Sequence, residues 1–207
     1  MMATSPSFRR ARYRGELRAV ILDAARKLFI ADGFEAFSMR KLAQQVGYSP
    51  ASLYQHFSSK DELFQCLVQE SFGKLAETIR SAAEAQGKDA QKADPVELLR
   101  SGLRAYIRFG LEHPHEYRFV FLMPASQKPS ETGLAAFRSL RHKVETCILT
   151  GRFRPVDPDM AAQVLWATVH GLISLLITRP SFPWVEKDML IGQLVDNALR
   201  GMVAPEA

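Results

Sequence analysis

Three observations predict an all-α fold. Apolar residues recur at three- and four-residue spacing through most of the chain, capping residues and helix breakers bracket these stretches, and no segment alternates apolar with polar residues between hairpin turns. About nine helices follow, arranged as an N-terminal three-helix unit and a C-terminal helical bundle. The length of 207 residues and the 47% apolar content are enough to fill a core.

Residues 1–14 carry serine, proline and four arginines and have almost nothing to bury, which predicts a flexible basic arm. In residues 17–30, Leu17, Ile21, Ala24, Ala25, Leu28 and Phe29 form one apolar helix face, and Asp32-Gly33 ends it. Phe34 and Phe37 are placed to plug the corner that follows. Ser38 is a good N-cap for a second helix, residues 39–46, whose Met39, Leu42 and Val46 face inward.

Residues 42–57 read as two short helices joined by a tight turn. Gly47 stands where the first must stop, since glycine alone enters the left-handed region without steric cost. Ser49 can cap the second helix, and Pro50 suits its first position, where a missing N–H is harmless. Leu53 and Phe57, four apart, point inward, leaving Ala51, Ser52, Tyr54, Gln55 and His56 to face elsewhere. Small, hydroxylic and amide side chains on the outer face suit a helix that enters a major groove, and the pattern is that of a helix-turn-helix.

Ser59 and Glu62 form a capping-box pattern that opens a long helix with apolar positions Leu63, Phe64, Leu67, Val68, Phe72, Leu75 and Ile79. That face outruns what a small N-terminal unit can cover, so this helix is expected to link two domains. The predicted division is 1–14 arm, 15–75 DNA-binding domain and 76–207 C-terminal domain. Residues 82–94 read as a surface loop around Gly87. Asp94-Pro95 starts the next helix, which breaks at His113-Pro114, and an aromatic-rich piece spans 116–123. Residues 131–150 make a helix closed by Gly151, and 157–178 and 184–203 are the last two. The 14-residue apolar run 164–177 is too short for a membrane span and fits a buried helix, so no membrane partner is expected.

Charge is divided unevenly. Residues 1–60 hold 10 Lys and Arg against 4 acids, an excess of 6, while the remaining 17 basic residues face 18 acids. The basic excess thus coincides with the helix-turn-helix and favours a polyanionic partner there, double-stranded DNA. The two cysteines, Cys66 and Cys147, form no paired motif and read as buried small hydrophobes in a reducing compartment. With no secretory pattern in the polar, arginine-rich first residues, a cytoplasmic location is expected.

Catalytic chemistry finds no support. His113-Pro114-His115 lacks a carboxylate or cysteine at ligand spacing, and there is no glycine-rich phosphate loop, nucleophile elbow or patterned carboxylate pair. Neither an enzyme, a metal site nor a cofactor is predicted.

The motifs resemble those of the TetR family of bacterial transcriptional regulators. The resemblance rests on Ile21-Leu22-Asp23-Ala24-Ala25, Leu28-Phe29, Gly33-Phe34, Ser38-Met39-Arg40, Leu42-Ala43, Gly47-Tyr48-Ser49, Leu53-Tyr54-Gln55-His56-Phe57 and Lys60-Asp61-Glu62-Leu63. It covers about residues 15–70. Trp166 and His170-Gly171-Leu172 are similar, over a shorter stretch, to the Trp-His-Gly pattern of one C-terminal subgroup. The resemblance implies an all-helical homodimer, a C-terminal cavity for a small-molecule effector, and release of operator DNA when the effector binds.

Carried over residue by residue, the resemblance implies that Ser38 and Arg40 reach the DNA backbone and that Tyr48 and Ser49 contact phosphates from the turn. Ala51, Ser52 and Gln55 then face base edges, and Tyr54, His56 and Lys60 make backbone contacts. Pro50 and Ala51 offer little to read, so specificity is expected to rest on Gln55, the arm and DNA shape. Arg104, Tyr106, Phe109, Phe119, Met123, Trp166 and His170 are candidates for the effector pocket. Val164, Thr168, Gly171, Leu172, Leu175, Leu190, Leu194 and Ala198, on the last two helices, are candidates for the dimer interface. The reading is a homodimeric repressor released by an effector. A sequence-tolerant architectural DNA binder without a ligand, and a small-molecule binding protein with a vestigial helix-turn-helix, stay open as alternatives.

Overall fold

The computed structural model describes residues 6–85, 94–122 and 130–204, with side chains from residue 15 onward. Among the described residues there are nine α-helices, one π-helical turn and no strand beyond a single bridge between Phe153 and Val203. The helices are α1 (Pro6–Ala36), α2 (Met39–Val46), α3 (Pro50–Tyr54), α4 (Lys60–Glu84), α5 (Pro95–Glu112), α6 (Pro114–Tyr117), α7 (Glu131–Leu149), α8 (Pro158–Thr178) and α9 (Lys187–Arg200). The π turn, Arg118–Leu122, follows α6 directly.

The chain packs as two units. One takes the residues up to Glu70 and a segment that starts at Arg118; the other takes Ser71–Tyr117 and α7 to α9. This division falls at 70/71, inside α4, beside the expected boundary between residues 75 and 76, and α4 belongs in part to each unit. The return of the segment that starts at Arg118 to the first unit leaves no mark in the sequence, because pattern along the chain does not register a distant segment completing a core.

An aromatic core organises the first unit. Phe29 stacks on Phe37 at 3.8 Å between centroids and meets Phe64 edge-on at 5.3 Å. Phe119, from the π turn, lies 4.7 Å from Phe64 and 5.7 Å from Phe29. Helix α1 starts earlier than the apolar pattern indicated: residues 6–14, expected as an arm, continue it. Arginine and alanine there are good helix formers, which favours a helix that starts before the apolar pattern does. At the other end Gly33 adopts φ 80°, ψ 169°, the left-handed break that turns the chain so that Phe34 and Phe37 reach the core.

The second unit is a bundle in which α8 packs on α5, α7 and α9. Gly110 lets α5 approach α8: a Cβ there would sit 2.5 Å from Ile173 Cγ2 and 3.0 Å from Tyr117 Cδ2. Capping follows the sequence closely. Asp94 caps α5, Ser130 caps α7 and Asp157 caps α8, each side chain accepting from a backbone N–H of the first turn. Helix α9 begins three residues later than the predicted 184, because Glu186 accepts from the N–H groups of Asp188 and Met189 and so fixes the start.

Candidate nucleic-acid interface

The helix-turn-helix forms as the caps dictate. Ser38 Oγ accepts from the Lys41 N–H at 3.4 Å and starts α2. Gly47 ends it at φ 73°, ψ 28°, with its N–H bonded to Ala43 and Gln44 carbonyls, and the Tyr48 N–H bonds the Ala43 carbonyl at 3.0 Å. Ser49 then starts α3, its hydroxyl accepting from the Ser52 N–H at 3.1 Å and lying 2.9 Å from Ser52 Oγ. Two hydroxyls expected at the DNA thus also stabilise the helix that carries them. Helix α3 is short: Gln55 caps it, and the His56 and Phe57 N–H groups both return to the Leu53 carbonyl, forming a turn.

Burial divides this segment sharply. Leu42, Leu53 and Phe57 are fully buried, whereas Ser38, Arg40, Ser49, Ala51, Tyr54 and Gln55 are exposed and Tyr48, Ser52, His56 and Lys60 half-buried. Tyr54 is 52% exposed, large for an aromatic ring with no role at an interface. All ten predicted DNA-facing residues lie between Ser38, the cap of α2, and Lys60, the first residue of α4, with Gln55 and His56 just past α3, and none is buried.

Lys60 does more than its pattern indicated. Its ammonium donates to the Phe34 carbonyl at 3.3 Å and stands 4.5 Å from the centre of the Phe34 ring. An ammonium has three donors, so this contact leaves others for an anion. The capping box that opens α4 is shifted by one residue on its return arm. Ser59 Oγ accepts from the Glu62 N–H at 3.1 Å as expected, but the Glu62 carboxylate accepts from the N–H and the hydroxyl of Ser58, at 2.7 and 2.6 Å. These two bonds hold the Glu62 carboxyl below its usual range. Lys41, passed over in the sequence, is exposed on α2 and ion-paired with Asp32 at 2.5 Å; its adjacency to Arg40 was the available signal. The side chains of Arg9, Arg10, Arg12 and Arg14 lie outside the described residues.

The pocket candidates do not form one group. Tyr106, Tyr117, Trp166 and His170 come together in the second unit: Trp166 Nε1 donates to Tyr106 Oη at 3.2 Å, and Tyr117 Oη lies 2.5 Å from His170 Nδ1. Tyr106 and Tyr117 also bond each other. Burial raises both phenols and lowers the imidazole, keeping all three neutral. Tyr117 was missed because nothing in the local pattern distinguishes it from neighbouring aromatics. Phe109 is buried beside His113, and Arg104 is exposed and faces Asp196 of α9 at 3.8 Å. Phe119, expected in the pocket, is instead core of the first unit, and Met123 lies outside the described residues. A cleft of about 440 Å³ opens between α4 and α5, lined by Glu77, Thr78, Ser81, Ala82, Ala85, Ala105, Arg108 and Glu112, none of them among the seven.

Of the interface candidates, Val164 and Leu175 are exposed at 45% and 50%, and Thr168, Gly171, Leu190, Leu194 and Ala198 are half-buried. Leu172 is only 5% exposed and turns into the bundle. The cysteines differ too: Cys147 is buried, its thiol pushed up to about 11 by burial, while Cys66 is half-buried with its sulfur accepting from Arg18 Nη2 at 3.3 Å. Among the described residues no three metal-ligating side chains cluster.

An all-helical chain with a capped, outward-facing helix-turn-helix in its basic part is of the class of DNA-binding transcriptional regulators. Comparison with known proteins makes this specific. The family model of bacterial regulatory proteins, tetR family, matches residues 21–67, and that of the tetracyclin repressor-like C-terminal domain matches 99–202. The transcriptional activator FasR of Mycolicibacterium smegmatis is 34% identical over 92% of this chain and 81% of its own. The transcriptional repressor AcnR of Corynebacterium diphtheriae is 37% identical over 30% of this chain and 33% of its own. The crystal structure of the TetR family regulator PfmR of Thermus thermophilus superposes with TM-score 0.66 at 28% identity, covering 87% of this chain and 97% of that one. The chain belongs to the TetR family of transcriptional regulators, and members of that family are regulators rather than enzymes.

Proposed function

We propose that the protein is a homodimeric repressor that binds an operator and leaves it when a small molecule occupies the second unit. The outward face of α2, the turn and α3 carries the reading. The ten polar or small residues from Ser38 to Lys60 stand on a frame of capped helices, in the part of the chain that holds the whole basic excess. Tyr54, His56, Arg40 and Lys60 serve the phosphates, and Gln55 and Ser52 the base edges.

Dimerisation is supported by α8. This 21-residue helix has mean hydropathy 1.7 over its most apolar window, long and apolar enough to cross a membrane by length and composition, yet only 44% of that window is buried within the chain. Val164, Thr168, Gly171 and Leu175 fall on one side of it, and a second copy covers that side. Effector binding is assigned to the Tyr106, Tyr117, Trp166 and His170 group, where neutral hydrogen-bonding side chains stand among apolar ones. The signal travels along α4, a continuous helix of 25 residues with its first part in the DNA-binding unit. The protein acts in the cytoplasm, on double-stranded DNA.

A gel shift with the promoter fragment flanking the protein's own gene tests this. Binding that weakens steeply with salt and survives excess random DNA is expected; binding to no such fragment contradicts the operator assignment.

A further inference from the structure

Arg18 lies on α1, and no motif drew attention to it, yet its guanidinium sits at the junction between the recognition helix and α4. Its Cζ stands 4.5 Å from the centre of the Phe57 ring, and its Nη2 donates to Cys66 Sγ at 3.3 Å. Its charge also acts on the Glu62 carboxylate, which in turn holds Ser58 by two hydrogen bonds. Phe57 closes the turn after α3, Ser58 follows it, and Cys66 lies two turns into α4. One half-buried side chain on α1 therefore touches both ends of the junction. A planar guanidinium is suited to this, because it stacks on an aromatic face while its edge donates in a fixed direction.

We propose that Arg18 is a positioning residue for DNA recognition: it fixes the turn after α3 against α1 and α4, and so sets the pose of Tyr54, Gln55 and His56 without itself neutralising a phosphate. A positively charged α1 residue in a basic DNA-binding unit would ordinarily be assigned to the DNA backbone. Here the cation is already engaged by a ring and a sulfur. The inference rests on the DNA-binding reading of this unit and adds a residue that acts through the recognition turn.

Salt dependence separates the two roles. Losing a phosphate contact lowers the slope of log Kobs against log[salt] by about one per protomer, whereas a mispositioned reading surface weakens binding and leaves the slope unchanged. The probe is a duplex selected from random sequence by the wild-type protein. Arg18→Met keeps the aliphatic stem and removes the guanidinium; Arg18→Gln is a second neutral variant; Arg18→Lys restores a cation over Phe57. For the two neutral variants, affinity about 10-fold lower with the wild-type salt slope is expected, together with a relaxed preference for the selected duplex over random DNA. Arg18→Lys should recover most of the loss. Wild-type affinity in the neutral variants, a slope reduced by one per protomer, or failure of both to fold at 25 °C, which would make Arg18 a stability element, each overturn the proposal. A wild-type protein that selects no duplex overturns the operator assignment and this proposal together.

Discussion

At the residue scale, Gly110 and His170 each make a position-specific demand. A methyl group on Gly110 would enter the volume of Ile173 and Tyr117, so Gly110→Ala should destabilise the protein by about 1–3 kcal/mol in denaturant unfolding, the usual cost of overpacking. His170 contributes a pH dependence. Burial holds its imidazole below the ordinary value of 6.5, so the unfolded chain takes up a proton that the folded chain resists. Stability is therefore full above that value and falls as pH drops from it toward the folded-state value. Thermal melts between pH 7.5 and 5 should show the decline, and His170→Gln should flatten it. A third prediction concerns the recognition helix: Ser49→Ala removes the α3 cap and should cost about 1 kcal/mol while weakening operator binding, since the same hydroxyl also braces Ser52.

At the scale of elements, punctuation was more legible than function. Ser38, Gly47, Ser49, Pro50, Asp94, Gly151 and Asp157 mark helix ends in the sequence and do so in the structure, because capping and left-handed turns are decided within a few residues. That none of the ten positions around α3 is buried is legible for a related reason: Leu53 and Phe57 fix which face is inward, and the rest follows from helical geometry. What could not be read depends on tertiary partners. Phe119 looked like pocket lining and belongs to the Phe29 and Phe64 core; Leu172 shared the spacing of an interface residue and is buried; Arg18 carried no motif at all. Residues 6–14 show no apolar face that predicts a helix, yet α1 runs through them.

At the scale of the molecule, the proposed function depends on pairing. A single recognition helix of five residues, with proline and alanine at its start, reads few bases, and two of them across a dyad multiply that information. The apolar residues left uncovered on α8 are the proposed means, and on that reading charge placed there should separate the copies. The double variant Val164→Glu/Leu175→Glu is expected to sediment as a monomer and to lose operator affinity by at least about tenfold, with its helical circular dichroism unchanged. The central claim is a symmetric dimer reading one face of a duplex. Footprinting on a duplex selected from random sequence, with the bound stoichiometry measured on the same complex, tests it most directly. The account predicts two protomers protecting two inverted half-sites about one helical turn, roughly 34–36 Å, apart or at a multiple of that spacing. No enriched sequence, or a single protomer on a single half-site, would contradict it.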